Sequence, residues 1–127
     1  SKPIWEMEPT PPASDALRNV YTQPKNYHTL HSRDEIAQLV RYLLRQKSFC
    51  FDTETTSIES MDAELVGLSF SYLSHEGYYI PCPPEREATV EILQLLRPAL
   101  EHPQIEKTGH NIKYDISVLR QYGIQVQ

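Results

Sequence analysis

The chain has 127 residues, room for one modest domain, with 23% charged and 39% apolar residues, a composition ordinary for soluble domains. No run approaches the roughly 18 apolar residues of a membrane-spanning helix, so no such span is expected, and no membrane partner is expected either. A net charge of −5 argues at first against a partner gripped through its phosphates by a basic surface.

Residues 1–26 read as a linker or peripheral extension. Pro3, Pro9, Pro11, Pro12 and Pro24 are five of the ten prolines, apolar periodicity is absent, and Trp5 is the one bulky anchor. The opening on Ser1 rather than Met points to a piece of a longer chain. Over 27–127 a domain is expected, starting with a short strand from Tyr27 to Leu30. Ser32-Arg-Asp-Glu35 has the form of a capping box. Ile36, Leu39, Val40, Leu43 and Leu44 then keep helical spacing to about Gln46.

Ser48 to Thr53 alternates as a strand. Phe49, Phe51 and Thr53 share one face, and Cys50, Asp52 and Glu54 the other. After a polar turn, Leu65 to Tyr72 gives a second strand with Val66, Leu68, Phe70 and Tyr72 on its apolar face. Ser74-His-Glu-Gly77 reads as a tight turn, with Gly77 free to adopt positive φ. Gly77 to Ile80 returns as the second half of a hairpin.

Pro81-Cys-Pro-Pro84 breaks the sheet. A helix is predicted from about Glu87 to Leu100, with Val90, Leu93, Leu96 and Leu100 as its stripe and Ile92, Leu95 and Ala99 widening it. Ile105 to Thr108 is a short strand and Gly109 a junction. A last helix runs from about Asn111 to Tyr122, with Ile112, Ile116 and Leu119 as its buried row. Gly123 suits a C-terminal cap, and Ile124-Gln-Val126 alternates like the start of another strand. His28, His31 and His75 are expected at the surface. Cys50 and Cys82 lack metal-ligand or redox spacing and read as reduced thiols of a cytoplasmic protein. The element order predicts an α/β fold: a mixed sheet with an antiparallel hairpin followed by βα units, truncated at its C-terminal end.

The charge is unevenly spread. Eleven acidic residues from Asp52 to Glu106 face only Arg86 and Arg97, so the acid excess is one internal block. Its sharpest feature is Asp52-Thr-Glu54. Two carboxylates two apart on a strand project from one face, their β-carbons roughly 7 Å apart from the strand rise. A divalent cation would relieve their repulsion, and hard cations prefer carboxylate oxygens. Two exposed acids at a strand end is the plainer alternative. The second feature is Gly109-His-Asn-Ile-Lys-Tyr-Asp115, which follows a strand and opens a helix. Asn111 and Asp115, four apart, share a helix face. Asp115 reads either as a third carboxylate beside Asp52 and Glu54 or as a surface acid beside Lys113.

Together these features resemble a known family. Phe51-Asp-Thr-Glu-Thr55 is similar to the first motif of the DnaQ-like 3′–5′ exonucleases, which have a ribonuclease H-like fold. Gly109 to Asp115 is similar to their second motif in the form found in family A DNA polymerases. Ala63 to Ser71 and Gly77 to Pro81 resemble the adjoining strands of the proofreading domain of bacterial polymerase I. The resemblance implies a two-metal phosphodiesterase using Mg²⁺ or Mn²⁺. Asp52 would bridge both ions, Glu54 would bind one and orient water, and Asp115 would hold the second. It also implies that Thr55, Ile58, His110, Asn111 and Tyr114 line the single-stranded 3′ end of DNA, with Tyr114 as a stacking face; packing is the plainer role for that ring. A polymerase domain of the same parent chain is the implied partner and the bacterial cytoplasm, at the nucleoid, the implied location. Oligomeric state is left open by the residues.

One departure bears on activity. The family's third motif, Tyr-x-x-x-Asp, is absent: none of the eight tyrosines has aspartate four residues on. The motif is expected beyond Gln127, so the chain alone should be weakly active or inactive. Two alternatives share these residues. One is an RNA-trimming enzyme resembling ribonuclease D. The other is a degenerate domain kept as a structural spacer in a polymerase.

Overall fold

The computed structural model describes residues 26–57, 59, 61–73 and 76–127. The expected linker up to residue 25, Trp5, Ile58 and the Ser74–His75 turn therefore lie outside the described residues, while Asn26, expected as the linker's last residue, opens the first strand. In chain order come β1 (Asn26–Thr29), α1 (Arg33–Leu43), β2 (Ser48–Thr55), β3 (Leu65–Leu73), β4 (Glu76–Pro81), α2 (Arg86–Leu100), β5 (Glu106–Thr108) and α3 (Ile112–Gln121).

Helix α1 begins where its capping box predicts. The Glu35 amide donates to Ser32 Oγ at 3.1 Å, and Glu35 Oε1 accepts from the Ser32 amide at 3.1 Å. Together these satisfy donors that the first turn leaves without partners. The helix stops at Leu43, three residues short of the expected end, because Gln46 N–H turns back to the Leu43 carbonyl. At the far end of the chain, α3 closes with Gly123 at φ 87°. Gly123 N–H bonds Arg120 O and Ile124 N–H bonds Leu119 O, the two bonds of a Schellman motif. Ile124 is fully buried as the apolar partner of that cap, so residues 124–126 do not form the expected strand.

The five strands lie in the order β1-β4-β3-β2-β5. β1 runs parallel to β4 and β2 parallel to β5, while β2, β3 and β4 form antiparallel pairs. This is the expected mixed sheet with its hairpin. One face carries Phe49, Phe51, Leu68, Phe70, Tyr78 and Ile80, all buried. Against them pack Ile36, Leu39 and Leu43 of α1, Leu93, Leu96 and Leu100 of α2, and Val118 and Leu119 of α3. Each such side chain contributes about 1.5–3 kcal/mol on full burial.

Four expectations are corrected. Val66 is 41% exposed rather than on the apolar face. Glu54 pairs with Gly67 and Thr55 with Leu65, so Val66 is the extra residue of a β-bulge and is turned outward. Gly77 lies within β4, paired with Tyr27, and does not take positive φ. The buried row of α3 is Asp115, Val118 and Leu119, with Ile116 only half-buried. His28 is not at the surface. It is 3% exposed and stacks on Tyr78 at 5.3 Å, because β1 pairs with β4 and carries the imidazole against that ring.

Candidate active site

Cross-strand register sets out the site. Asp52 stands opposite Ser69 and Ser69 opposite Tyr79; Glu54 stands opposite Gly67 and Gly67 opposite Pro81. Directly paired residues face the same way, so Asp52, Glu54 and Tyr79 project from the sheet face opposite the Phe51 core. The bulge at Val66 falls opposite Glu54 and Thr55, where it bends β3 and breaks the regular ladder.

The segment leading into α3 closes onto β2. A β-carbon at Gly109 would stand 2.5 Å from the Phe51 carbonyl oxygen, so only glycine allows this approach. The approach brings the His110 amide to Asp52 Oδ1 at 3.3 Å. One turn on, Asp115 reaches back to β2. Its Oδ1 accepts from Thr53 Oγ1 at 2.6 Å and from the Thr53 amide at 3.2 Å.

Asp115 is 3% exposed, and its Oδ2 has no hydrogen-bond partner. Burial pushes its pKa above the ordinary carboxylate value; the Thr53 bonds oppose the shift and nearby Asp52 adds to it. A buried carboxylate with one orphaned oxygen beside a second carboxylate is what a hard cation would satisfy. The donor set therefore fits such an ion in kind. Among the described residues, no three His, Cys, Asp or Glu side chains converge closely enough to hold an ion by themselves.

The expected substrate residues separate. Thr55, Asn111 and Tyr114, with Thr56 and Ser57, line a shallow cleft of about 270 Å³. Asn111 is the N-cap of α3, yet its exposed side chain makes no capping bond. Tyr114 is half-buried against the core and its hydroxyl is engaged, 2.6 Å from Thr55 Oγ1 and 2.5 Å from the Ser57 carbonyl. It braces the loop after β2. His110 is exposed, does not line the cleft, and contributes its backbone amide to Asp52. Ile58 lies outside the described residues.

Two residues escape sequence reasoning. Thr53, expected only as the apolar-side member of its strand, is the clamp on Asp115. Tyr79 donates to Glu54 Oε2 at 3.3 Å. Burial, reinforced by Glu54, pushes its phenol up to about 12, so it remains a donor at neutral pH. Gly67, a glycine inside a strand, was the available signal, since such positions mark close approach by another group.

Comparison with known proteins places this geometry. The family described as 3′-5′ exonuclease matches residues 27–127. The chain is 31% identical over 126 residues to DNA polymerase I of Borreliella burgdorferi, covering 96% of this chain and 14% of that relative. It is 32% identical over 124 residues to DNA polymerase I of Chloroflexus aurantiacus, covering 95% and 12%. The chain thus spans a small part of the relatives it matches. Among solved structures, Escherichia coli RNase D is similar with TM-score 0.61 at 21% identity, over 80% of this chain and 26% of that one. Trypanosoma brucei RNase D in complex with RNA gives 0.63 at 16%, over 91% and 40%. At such identities the likeness concerns the fold, and it bears out the ribonuclease H-like class. Matched by the family from Tyr27 onward and by polymerase I chains along nearly its whole length, the chain belongs to the 3′–5′ exonuclease family of DNA polymerase I.

Proposed function

We propose that this chain supplies three carboxylates of a two-metal site that removes mismatched 3′-terminal nucleotides from DNA by phosphodiester hydrolysis. What supports the reading most is Asp115 Oδ2, buried and unpartnered beside Asp52 in a member of an exonuclease family. Asp52, Glu54 and Asp115 would hold Mg²⁺ or Mn²⁺, which accept the same oxygens. Bound, such ions offset charge on the phosphate and favour ionisation of the attacking water.

The chain's own groups do the rest. The Glu54 carboxylate accepts a hydrogen bond from the attacking water and aims it at phosphorus. Thr53 fixes Asp115 through Oδ1 and leaves Oδ2 without a protein partner. The His110 amide fixes Asp52. The cleft at Thr55, Asn111 and Tyr114 receives the last nucleotide of a frayed single strand. There the Asn111 amide offers hydrogen bonds, the Tyr114 ring offers a face for a base, and Ile58 and His110 flank the strand.

The partner in this reading is a polymerase domain of the same longer chain, acting in the bacterial cytoplasm. A further segment supplies the fourth carboxylate and a tyrosine.

The test uses the full-length polymerase and the 127-residue chain, each with labelled single-stranded DNA and RNA and Mg²⁺ or Mn²⁺. The polymerase should release mononucleotides from DNA, and Asp52→Ala should abolish the release. The short chain should release little. Robust release by the short chain, abolished by Asp52→Ala, would show that the three carboxylates suffice. Preference for RNA would replace the proofreading assignment with RNA trimming. Calorimetry that finds no metal bound by the domain would reduce it to a structural spacer.

A further inference from the structure

The Tyr79 side chain takes an indirect course. In register it stands two strands from β2, beside Ser69, which faces Asp52. Instead of standing up from the sheet, it leans diagonally across β3, and its hydroxyl arrives at Glu54 Oε2, 3.3 Å away. The position it crosses is Gly67, the residue paired with Glu54. A β-carbon built on Gly67 would collide with the phenol oxygen and with two carbons of the ring. Gly67 is itself buried, although it lies on the open face, because the ring covers it. Glycine weakens a strand interior relative to alanine, so this notch has a cost that some other gain must offset.

What the notch admits is a donor for a carboxylate. Glu54 is exposed at the end of β2 beside the bulge at Val66, where the ladder is irregular. A glutamate there has free rotation about its side-chain bonds unless something restrains it. The phenol of Tyr79 is the restraint: it arrives from another strand, its ring held against the backbone of Gly67.

We infer that Tyr79 is a positioning residue for the hydrolytic site, its hydroxyl reaching through the notch at Gly67 to hold the Glu54 carboxylate in its working orientation. The inference rests on the proposed reading of Glu54 as a working carboxylate. It adds a residue outside the first and second motifs, on a strand that neither touches. Partners that orient metal-ligating carboxylates are lost at a cost of roughly 10- to 100-fold in affinity or rate.

The test is a set of variants in the full-length polymerase. Tyr79→Phe keeps the ring over Gly67 and removes only the hydroxyl. Its melting temperature and KM for single-stranded DNA should match the parent, while kcat for nucleotide release falls roughly tenfold. Calorimetric titration with Mn²⁺ in the absence of nucleotide should show weakened binding. Gly67→Ala, which displaces the ring, should lower kcat in the same way. In a Glu54→Gln background, Tyr79→Phe should cause no additional loss, because the group it positions is already gone.

Tyr79→Phe with parental kcat and Mn²⁺ affinity overturns the inference, as does a loss confined to KM. An equal loss on the Glu54→Gln background overturns it as well, since Tyr79 would then act on something else. If Glu54→Gln alone cleaves at the parental rate, the reading of Glu54 fails and the inference falls with it. That outcome is distinguishable from one in which Glu54→Gln is inactive and Tyr79→Phe is intact.

Discussion

Toward opposite edges of the sheet, two buried polar groups lack partners. His28 on β1 has both ring nitrogens unsatisfied, and Asp115 on α3 has one carboxylate oxygen unsatisfied. Each is 3% exposed, and each carries a desolvation cost of roughly 1–3 kcal/mol. Their remedies differ. An imidazole surrenders its proton, and burial holds the His28 pKa below its ordinary value, with Glu76 opposing the shift only in part. Asp115 cannot shed its difficulty so cheaply at neutral pH. Thr53 stabilises its charge through Oδ1, while Asp52 repels it. One orphan is a neutral ring stacked on Tyr78, and the other is an anion next to a second anion. The second arrangement calls for a cation, while the first carries only the cost of its unmet hydrogen bonds.

The comparison is broken most directly at the carboxylate end. Asp52→Ala in the full-length polymerase should lower nucleotide release by at least about 100-fold, the upper range for losing even a supporting partner of a metal ligand. Single-turnover cleavage measures this. Retained cleavage would mean that the paired carboxylates serve no chemistry, and that Asp115 is an orphan of the same kind as His28.

Asp115→Asn separates function from stability. The amide oxygen retains both Thr53 bonds, and the buried anion disappears. Nucleotide release should fall by at least about 100-fold, while the chelator-treated chain gains about 1 kcal/mol in urea unfolding from relief of a buried charge. Loss of stability together with activity would assign Asp115 a structural role.

A smaller effect tests the clamp. Thr53→Val preserves shape and the backbone donor but removes the 2.6 Å hydroxyl bond to Asp115 Oδ1. Bonds to charged groups contribute about 1.5–3 kcal/mol, and the loss should fall in that range by urea unfolding. In the Asp115→Asn background the loss should shrink toward about 1 kcal/mol, the value for a neutral bond.

How far the sequence reaches depends on the distance between partners. The Ser32–Glu35 box and the Gly123 cap bind residues three to five apart, and both form as read. The facing of Asp52 and Glu54 follows from strand period, and the hairpin from two alternating runs. What fails depends on register between distant elements. His28 is buried because β1 pairs with β4, which lies beyond α1, β2 and β3 in the chain. Val66 turns out because Leu65, not Val66, pairs with Thr55. Thr53 meets Asp115 across 62 residues and Tyr79 meets Glu54 across 25, with no local pattern announcing either. Thr53 and His110 stand inside the two motifs, but the bonds they make across the fold are not written in local spacing, and Tyr79 stands outside both motifs.

The smallest effect belongs to the other orphan. Above pH of roughly 6.5, the ordinary histidine value, His28 is neutral in folded and unfolded chains alike and contributes no pH dependence. Its folded pKa is lowered. As pH falls below the ordinary value, the unfolded chain therefore takes up a proton that the folded chain refuses. Stability declines with acidification until the folded pKa is reached. The groups facing the imidazole are Tyr78, stacked on it, and Glu76, whose charge attracts the imidazolium and narrows that window. His28→Phe keeps a ring against Tyr78 and removes two unsatisfied nitrogens, so it should stabilise the chain by about 1 kcal/mol at pH 7. The gain should widen as pH is lowered from 7 to 5, because the variant has no proton to bind at that position. Exonuclease activity should not change, since the imidazole lies with Tyr78 on the core face and the carboxylates of β2 project from the other face. Urea unfolding of parent and variant at each pH gives the difference directly. A gain that stays constant with pH would show that His28 does not titrate differently in the folded chain, and its orphaned nitrogens would then be a packing cost alone.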